Sequence, residues 1–454
     1  MATATRIEAL AGRRLSPQEI VEITQAREKS LSRLLVLYIV TGLGFMLLPG
    51  TFLGVWNLLA ISSHRTANSV SAGWVQAHGH AQIFGWIGTF ILGIGFYSIP
   101  KLRRMDPFGL WTACACWGLW TVGVGLRWTT GVYQWHWRVW LPLSAAFELA
   151  AFLIFLYSVS GHRSQGPPSE RWEAWVLVVI SASVGLLATL LVNFETTLLL
   201  AIRGASPDLP HAFDQRFLVL ETWGFLVPFV WGFSARWLPV FLGLQLLRGR
   251  VLLVALALNS AGVIAAMGDW TRIAVILLAT GIVVAILSIR LFEPTKQPAK
   301  VKGVHSSFPI FVRMAYVWAL IAATLATWAA FGAGSYGIWG ASRHALTVGF
   351  LSTMVFCVGQ RVLPAFSGMR LLLSTKLMFV SLLLLNIGCT LRVTSEILAY
   401  QGLADWAWSW LSVSAITEMI AVMLFAINLS LTFVRRPTLA IANAVAIGPS
   451  AIRA

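Results

Sequence analysis

The sequence predicts an all-α polytopic membrane protein of about twelve transmembrane helices, arranged as three repeats of four. Three observations predict it. Of 454 residues, 58% are hydrophobic and only 11% charged, a balance that fits no water-soluble core. The apolar residues gather into runs of roughly 20 to 28, long enough to cross a hydrocarbon layer with some tilt. One segment recurs three times in constant register.

The spans centre near 34–60, 77–99, 108–126, 139–160, 173–202, 216–243, 251–268, 271–290, 310–333, 344–367, 371–398 and 408–434. With no water available to the backbone, runs of this length are helices. Only Gly268, Asp269 and Trp270 separate the seventh from the eighth, so eleven spans is the alternative. Ahead of the first span, residues 1–30 carry acids and no apolar h-region, which excludes a signal peptide. There Ser16-Pro17-Gln18-Glu19 reads as a capping box with proline at the first helical position, opening a short amphipathic cytoplasmic helix. The transmembrane domain is then 31–436, with repeats of about 31–162, 171–292 and 308–436, and 437–454 is a cytoplasmic tail.

Orientation follows from lysine and arginine. Clusters at Lys101-Leu102-Arg103-Arg104, at Arg248 and Arg250, and at Lys296, Lys300 and Lys302 all fall on the even loops. That is the positive-inside pattern with both termini cytoplasmic. The net charge of +16 therefore reports topology and contact with anionic lipid of the bilayer, and not nucleic acid. Cys114, Cys116, Cys357 and Cys389 lie in spans without CxxC spacing, so no disulfide framework, zinc site or covalent haem attachment is readable.

The repeat pairs Gly85 with Gly349, Thr89 with Thr353, Gly95 with Gly359 and Pro100 with Pro364, each 264 positions apart. A third copy runs from Gly224 through Arg236 to Pro239, pairing Arg236 with Arg361 and Gly243 with Gly368. These copies are the second, sixth and tenth spans. Downstream, Leu126-Arg127 recurs as Leu391-Arg392 and Glu148 as Glu418.

The same register carries His80 onto His344, while the middle copy has Val219. Two helices offering imidazoles at matched depth are able to ligate one haem iron between them. His78 lies two residues before His80, a rotation of about 200° on a helix, so it faces elsewhere, with Gln82. Arg127, Arg343 and Arg392 lie near the outer helix ends, where guanidinium groups suit haem propionates. Arg236 and Arg361 lie near the inner ends and snorkel to headgroups. Glu148 and Glu418 sit deeper, placed to pair with an arginine or carry protons. His64, His136 and His211 fall in outer loops, where they add a second metal site or serve as ordinary surface residues.

Two resemblances rest on these residues. Arg343-His344-Ala-Leu-Thr-Val-Gly-Phe-Leu-Ser-Thr-Met, continuing to Arg361, resembles the HALTVG…TM…R signature of the NnrS family. His78-Gly-His80-Ala-Gln-Ile-Phe84-Gly85 is similar to that family's HAHEMLFG, with Gln82 in place of the glutamate. The resemblance implies a bacterial inner-membrane protein containing haem and copper, linked to nitric oxide metabolism. Twelve helices with histidines on the second and tenth also resemble the catalytic subunits of haem–copper oxidases and nitric oxide reductases. The histidines of their high-spin haem and copper centre have no counterpart here.

The resulting expectation is a haem b-binding protein of the nitric oxide response or of respiratory redox chemistry, with His80 and His344 as axial ligands. His78 is a further metal-ligand candidate, and Arg127, Arg343 and Arg392 bind the cofactor. Its partners are the bilayer, nitric oxide or a small redox ligand, and a respiratory-chain protein. The alternatives are a cofactor-free secondary transporter, with Arg127, Glu148, Arg392 and Glu418 along its path, and an accessory or catalytic-like subunit of a terminal oxidase or nitric oxide reductase.

Overall fold

The computed structural model describes residues 16–103, 105–106, 108–162, 173–332 and 336–435. The expected tail 437–454, the first 15 residues and Arg104 lie outside them. Among the described residues there are twelve long helices and no strand. The first, α1, runs unbroken as Pro17–Phe45, Met46–Phe52 and Leu53–His64. It is followed by α2 (Ala72–Leu102), α3 (Leu110–Tyr133), α4 (Trp137–Ser160), α5 (Ala174–Arg203) and α6 (His211–Leu242). The second half comprises α7 (Gly249–Met267), α8 (Thr271–Ile289), α9 (Phe308–Phe331), α10 (Gly337–Phe366), α11 (Thr375–Tyr400) and α12 (Ala407–Val434). Eleven are long and apolar enough to cross a membrane. The twelfth, α3, has the length, but Trp111, Trp117, Trp120, Trp128 and Arg127 dilute its hydropathy.

Local chemistry sets the boundaries. Ser16 and Glu19 close the capping box: the Ser16 hydroxyl accepts from the Glu19 amide at 3.3 Å, and the Glu19 carboxylate accepts from the Ser16 amide at 2.8 Å. Asp269, with φ of 66°, turns the chain sharply between α7 and α8, so the two are separate helices. Directly after α6, Gly243 has φ of 65°, and a Cβ there would stand 2.1 Å from the Gln297 carbonyl oxygen. Only glycine fits, because that turn receives the amides of Lys296 and Lys300 on the Gly243 and Phe241 carbonyls, each at 2.8 Å. Arg361 donates to the Lys302 carbonyl and Arg236 lies over the Trp175 ring, so both arginines are held at helix ends.

The threefold repeat is visible in the packing. The most extensive helix pairings are the hairpins α11–α12, α7–α8 and α3–α4, one in each repeat. Each hairpin crosses on one glycine. A Cβ on Gly123 would meet Glu148 Cγ at 2.8 Å and the Ser144 carbonyl at 2.9 Å. A Cβ on Gly388 would meet Glu418 Cγ at 2.6 Å and the Ser414 carbonyl at 3.4 Å. On Gly262 it would meet Leu278 Cγ at 2.8 Å and the Ala274 carbonyl at 3.3 Å.

The interior is lined by α2, α10 and α6, the most enclosed spans, with 78, 72 and 61% of their apolar windows buried. Each of these helices widens into a π-helical segment: Ala81–Gly88, Leu220–Leu226 and Ala345–Ser352. All three begin at the residue after the repeat positions His80, Val219 and His344. Small residues let the neighbours close in: a Cβ on Gly185 of α5 would stand 2.0 Å from the Gly224 carbonyl of α6. Gly185→Ala should therefore force the two helices apart and lower stability by about 1–3 kcal/mol. The check is a lower thermal unfolding midpoint in detergent.

Candidate functional site

The N-terminal halves of α2 and α10 hold the histidines, and the hydrogen bonding of each ring decides what it can bind. His344 Nδ1 lies 2.9 Å from the Gly340 carbonyl, one turn back, and 3.1 Å from Glu396 Oε2 on α11. The carbonyl can only accept, so Nδ1 carries a proton, and in the neutral ring the Nε2 lone pair is left free. His78 is arranged alike: Nδ1 lies 2.9 Å from the Gly50 carbonyl of α1, and its ring packs flat where Gly54 has no side chain. No protein hydrogen bond engages its Nε2. His80 differs. Its Nε2 donates to Glu148 Oε1 at 2.7 Å, deep between α2 and α4, and its ring stacks on Phe84 at 4.4 Å.

The helix is α-helical through His80, so the two α2 histidines face opposite ways, as their spacing requires. They consequently belong to different polar clusters. His78 shares the side facing α1 with Gln82, which donates to Thr51 at 3.0 Å, and is close enough to His344 and Arg392 to feel both electrostatically. Arg343 and Glu418 join that cluster through Glu396 and Arg392. On the other side, buried Arg127 faces Glu148, Glu221, Asp214 and Asp208. Asp214 lies within reach of both Arg127 and Arg343 and is the bridge between the clusters. Outside the spans, half-buried Asp208 has its carboxyl held above its ordinary range by burial, which outweighs the neighbouring Arg127 and the Ser206 hydroxyl.

The expected site residues thus divide. His344, Arg343 and Arg392 come together with His78, whereas His80 and Arg127 assemble around Glu148 and Glu221. Glu396 was absent from the expected set. Its signal lay in the repeat: Gly131 occupies the same register position in the first repeat, so an acid there is peculiar to the third. Among the described residues no group of three or more histidine, cysteine, aspartate or glutamate side chains forms a metal centre. His64, His136 and His211 do not converge on one, and copper has no donor set of that kind. A haem iron needs only the two imidazoles, and these fit it: each ring is oriented from behind by a backbone carbonyl and presents a bare Nε2. Several buried atoms beside them, among them Arg392 Nη1 and Glu418 Oε1, have no hydrogen-bond partner in the protein.

The middle repeat lacks this chemistry altogether. Val219, Ala266 and Leu278 stand where the first repeat has His80, Arg127 and Glu148. The three polar residues are lost together, which marks them as one unit. Removing one member should leave the others buried and uncompensated, so Glu148→Ala should cost about 3–5 kcal/mol. Replacing all three with valine, alanine and leucine, as in the middle repeat, should recover most of that loss. Thermal unfolding of both variants in detergent decides it; a triple variant as unstable as the single one would show that the three do not act together.

With the geometry in hand, the chain compares with known proteins as follows. The family model described as NnrS protein matches residues 36–436. No curated protein sequence matches. A cryo-EM structure of a haem–copper terminal oxidase dimer is similar in fold, with a TM-score of 0.62 at 10% identity, covering 90% of this chain and 85% of that one.

Proposed function

The chain belongs to the NnrS family, and on that premise we propose that it is a haem-binding protein of the bacterial inner membrane, with both termini cytoplasmic. It acts in nitric oxide response or respiratory redox chemistry. One b-type haem lies between α2 and α10, with His344 Nε2 as one axial ligand. The second is His78, in place of the repeat-matched His80. The observation that carries this reading is the shared arrangement of His78 and His344, each with Nδ1 tied to a carbonyl and Nε2 bare. Against His80 stands its 2.7 Å bond to Glu148, which occupies the nitrogen that iron would need.

Bound haem supplies one-electron chemistry at a potential set by its ligands and their burial. The protein's own part is orientation and exclusion of water. Arg343 and Arg392 offer guanidinium groups to the propionates, while Arg127 stays with His80. Two histidine ligands fill both axial positions, which suits electron transfer to a respiratory-chain partner, or sensing, better than activation of a small ligand.

Reduced-minus-oxidised spectra and pyridine haemochromes of the purified protein test this reading. His78→Ala and His344→Ala should lose the low-spin b-type signal or convert it to high spin, and His80→Ala should retain it. Loss in His80→Ala with retention in His78→Ala returns the ligation to His80. Haem-free wild type, grown with ample haem and well folded, sinks the reading. Nitric oxide should leave the reduced wild-type spectrum unchanged and perturb that of His78→Ala, where an axial position is opened.

A further inference from the structure

We propose that Glu396 is the positioning residue of the α10 ligand: it fixes the orientation of His344 and supplies the negative charge behind the ring that lowers the reduction potential of iron bound in front. The inference rests on the haem reading above and adds to it the residue that tunes the centre.

Four observations carry it. Glu396 Oε2 lies 3.1 Å from His344 Nδ1, on the side away from the free Nε2. Glu396 is buried, and its remaining contact is the ion pair with Arg392 Nε at 3.3 Å, which lacks hydrogen-bond alignment. Neither contact at Oε2 has hydrogen-bond alignment, so the carboxylate is held by charge between His344 and Arg392. Room for it is made on α10: a Cβ on Gly340 would stand 1.8 Å from Glu396 Oε1, a distance no side chain tolerates.

The internal repeat shows that the scaffold does not require this acid. The crossing of α2 on α3 is the counterpart of α10 on α11. In the first, a Cβ on Gly73 would stand 2.7 Å from the Gly131 carbonyl; in the second, a Cβ on Gly337 would stand 2.9 Å from the Glu396 carbonyl. The backbones cross alike, yet the side chains are exchanged. The first repeat has Gln76 on one helix and Gly131 on the other, whereas the third has Gly340 and Glu396 at the same positions. The third repeat thus moves the long side chain onto α11, where it reaches His344. His80, in the first repeat, takes its carboxylate from Glu148 instead, through the opposite ring nitrogen. Glu418, the counterpart of Glu148, is left without a partner at Oε1.

A carboxylate behind a ligating imidazole raises the basicity of the ligand and stabilises the more positive oxidation state. Redox titration of the haem-loaded protein tests this. Glu396→Gln, which keeps the size and removes the charge, should favour the reduced form about tenfold, a shift of about +59 mV for one electron. Glu396→Asp, which restores the charge, should return most of the way to wild type. Gly340→Ala should displace the carboxylate and shift the potential in the same direction, and it carries the test if Glu396→Gln does not fold. A haem-loaded Glu396→Gln at the wild-type potential overturns the role of Glu396 alone. Haem-free wild type overturns the parent reading as well.

Discussion

The architecture of the candidate site depends on one local departure from helical geometry. On α2, α6 and α10 the turn directly below the repeat position of His80, Val219 and His344 widens by one residue. An α-helix fixes the angle between any two of its side chains, so the outer face of a straight span dictates its inner face. The wider turn breaks that coupling. The N-terminal ends present polar side chains to the interior in their own rotational setting, while the widened turns themselves keep Gly85, Gly224 and Gly349 against apolar neighbours. Because the middle repeat retains the feature without its histidine, the π turn belongs to the scaffold.

Much of this was legible in the sequence. Length and hydropathy set the spans, because a bilayer leaves the backbone no alternative to helices. Constant register among Gly85, Gly224 and Gly349 disclosed the repeat, since close helix approach selects glycine again and again at one depth. The shared register of His80 and His344, each one residue before its widened turn, was legible too, but not which α2 histidine joins the cluster of His344. Spacing gives the angle between His78 and His80; the absolute rotation of the helix comes from its neighbours, here the bare backbone at Gly50 and Gly54 and the buried Glu148. Glu396 was hidden for a different reason. An acid near a helix end reads as interfacial until a partner on another helix is known, and the partner is 52 positions away.

Buried charge is distributed unevenly among the repeats. Isolated ions within a low-dielectric interior are costly, so each polar residue there is set among others that compensate it. The first repeat closes its histidine, arginine and glutamate into a compact group reinforced by Glu221 and Asp214. The third opens the same trio: His344 turns to Glu396 and leaves Glu418, the counterpart of Glu148, without a histidine. The middle repeat replaces the trio with apolar side chains and closes its hairpin on Gly262 against Leu278 and on Gly281 against the α7 backbone. One fold therefore carries a closed, an opened and an erased version of a single polar arrangement, and the opened version is the one beside the free imidazole nitrogens.

The exchange between Gln76 with Gly131 and Gly340 with Glu396 ties two positions on different helices together. The 1.8 Å clearance at Gly340 means that a side chain at 340 and the present position of the Glu396 carboxylate exclude one another. A side chain introduced at 340 swings the acid aside and forfeits its reach to His344. The polarity around the α10 histidine is therefore gated by the absence of a single methyl group on its own helix, one turn before it.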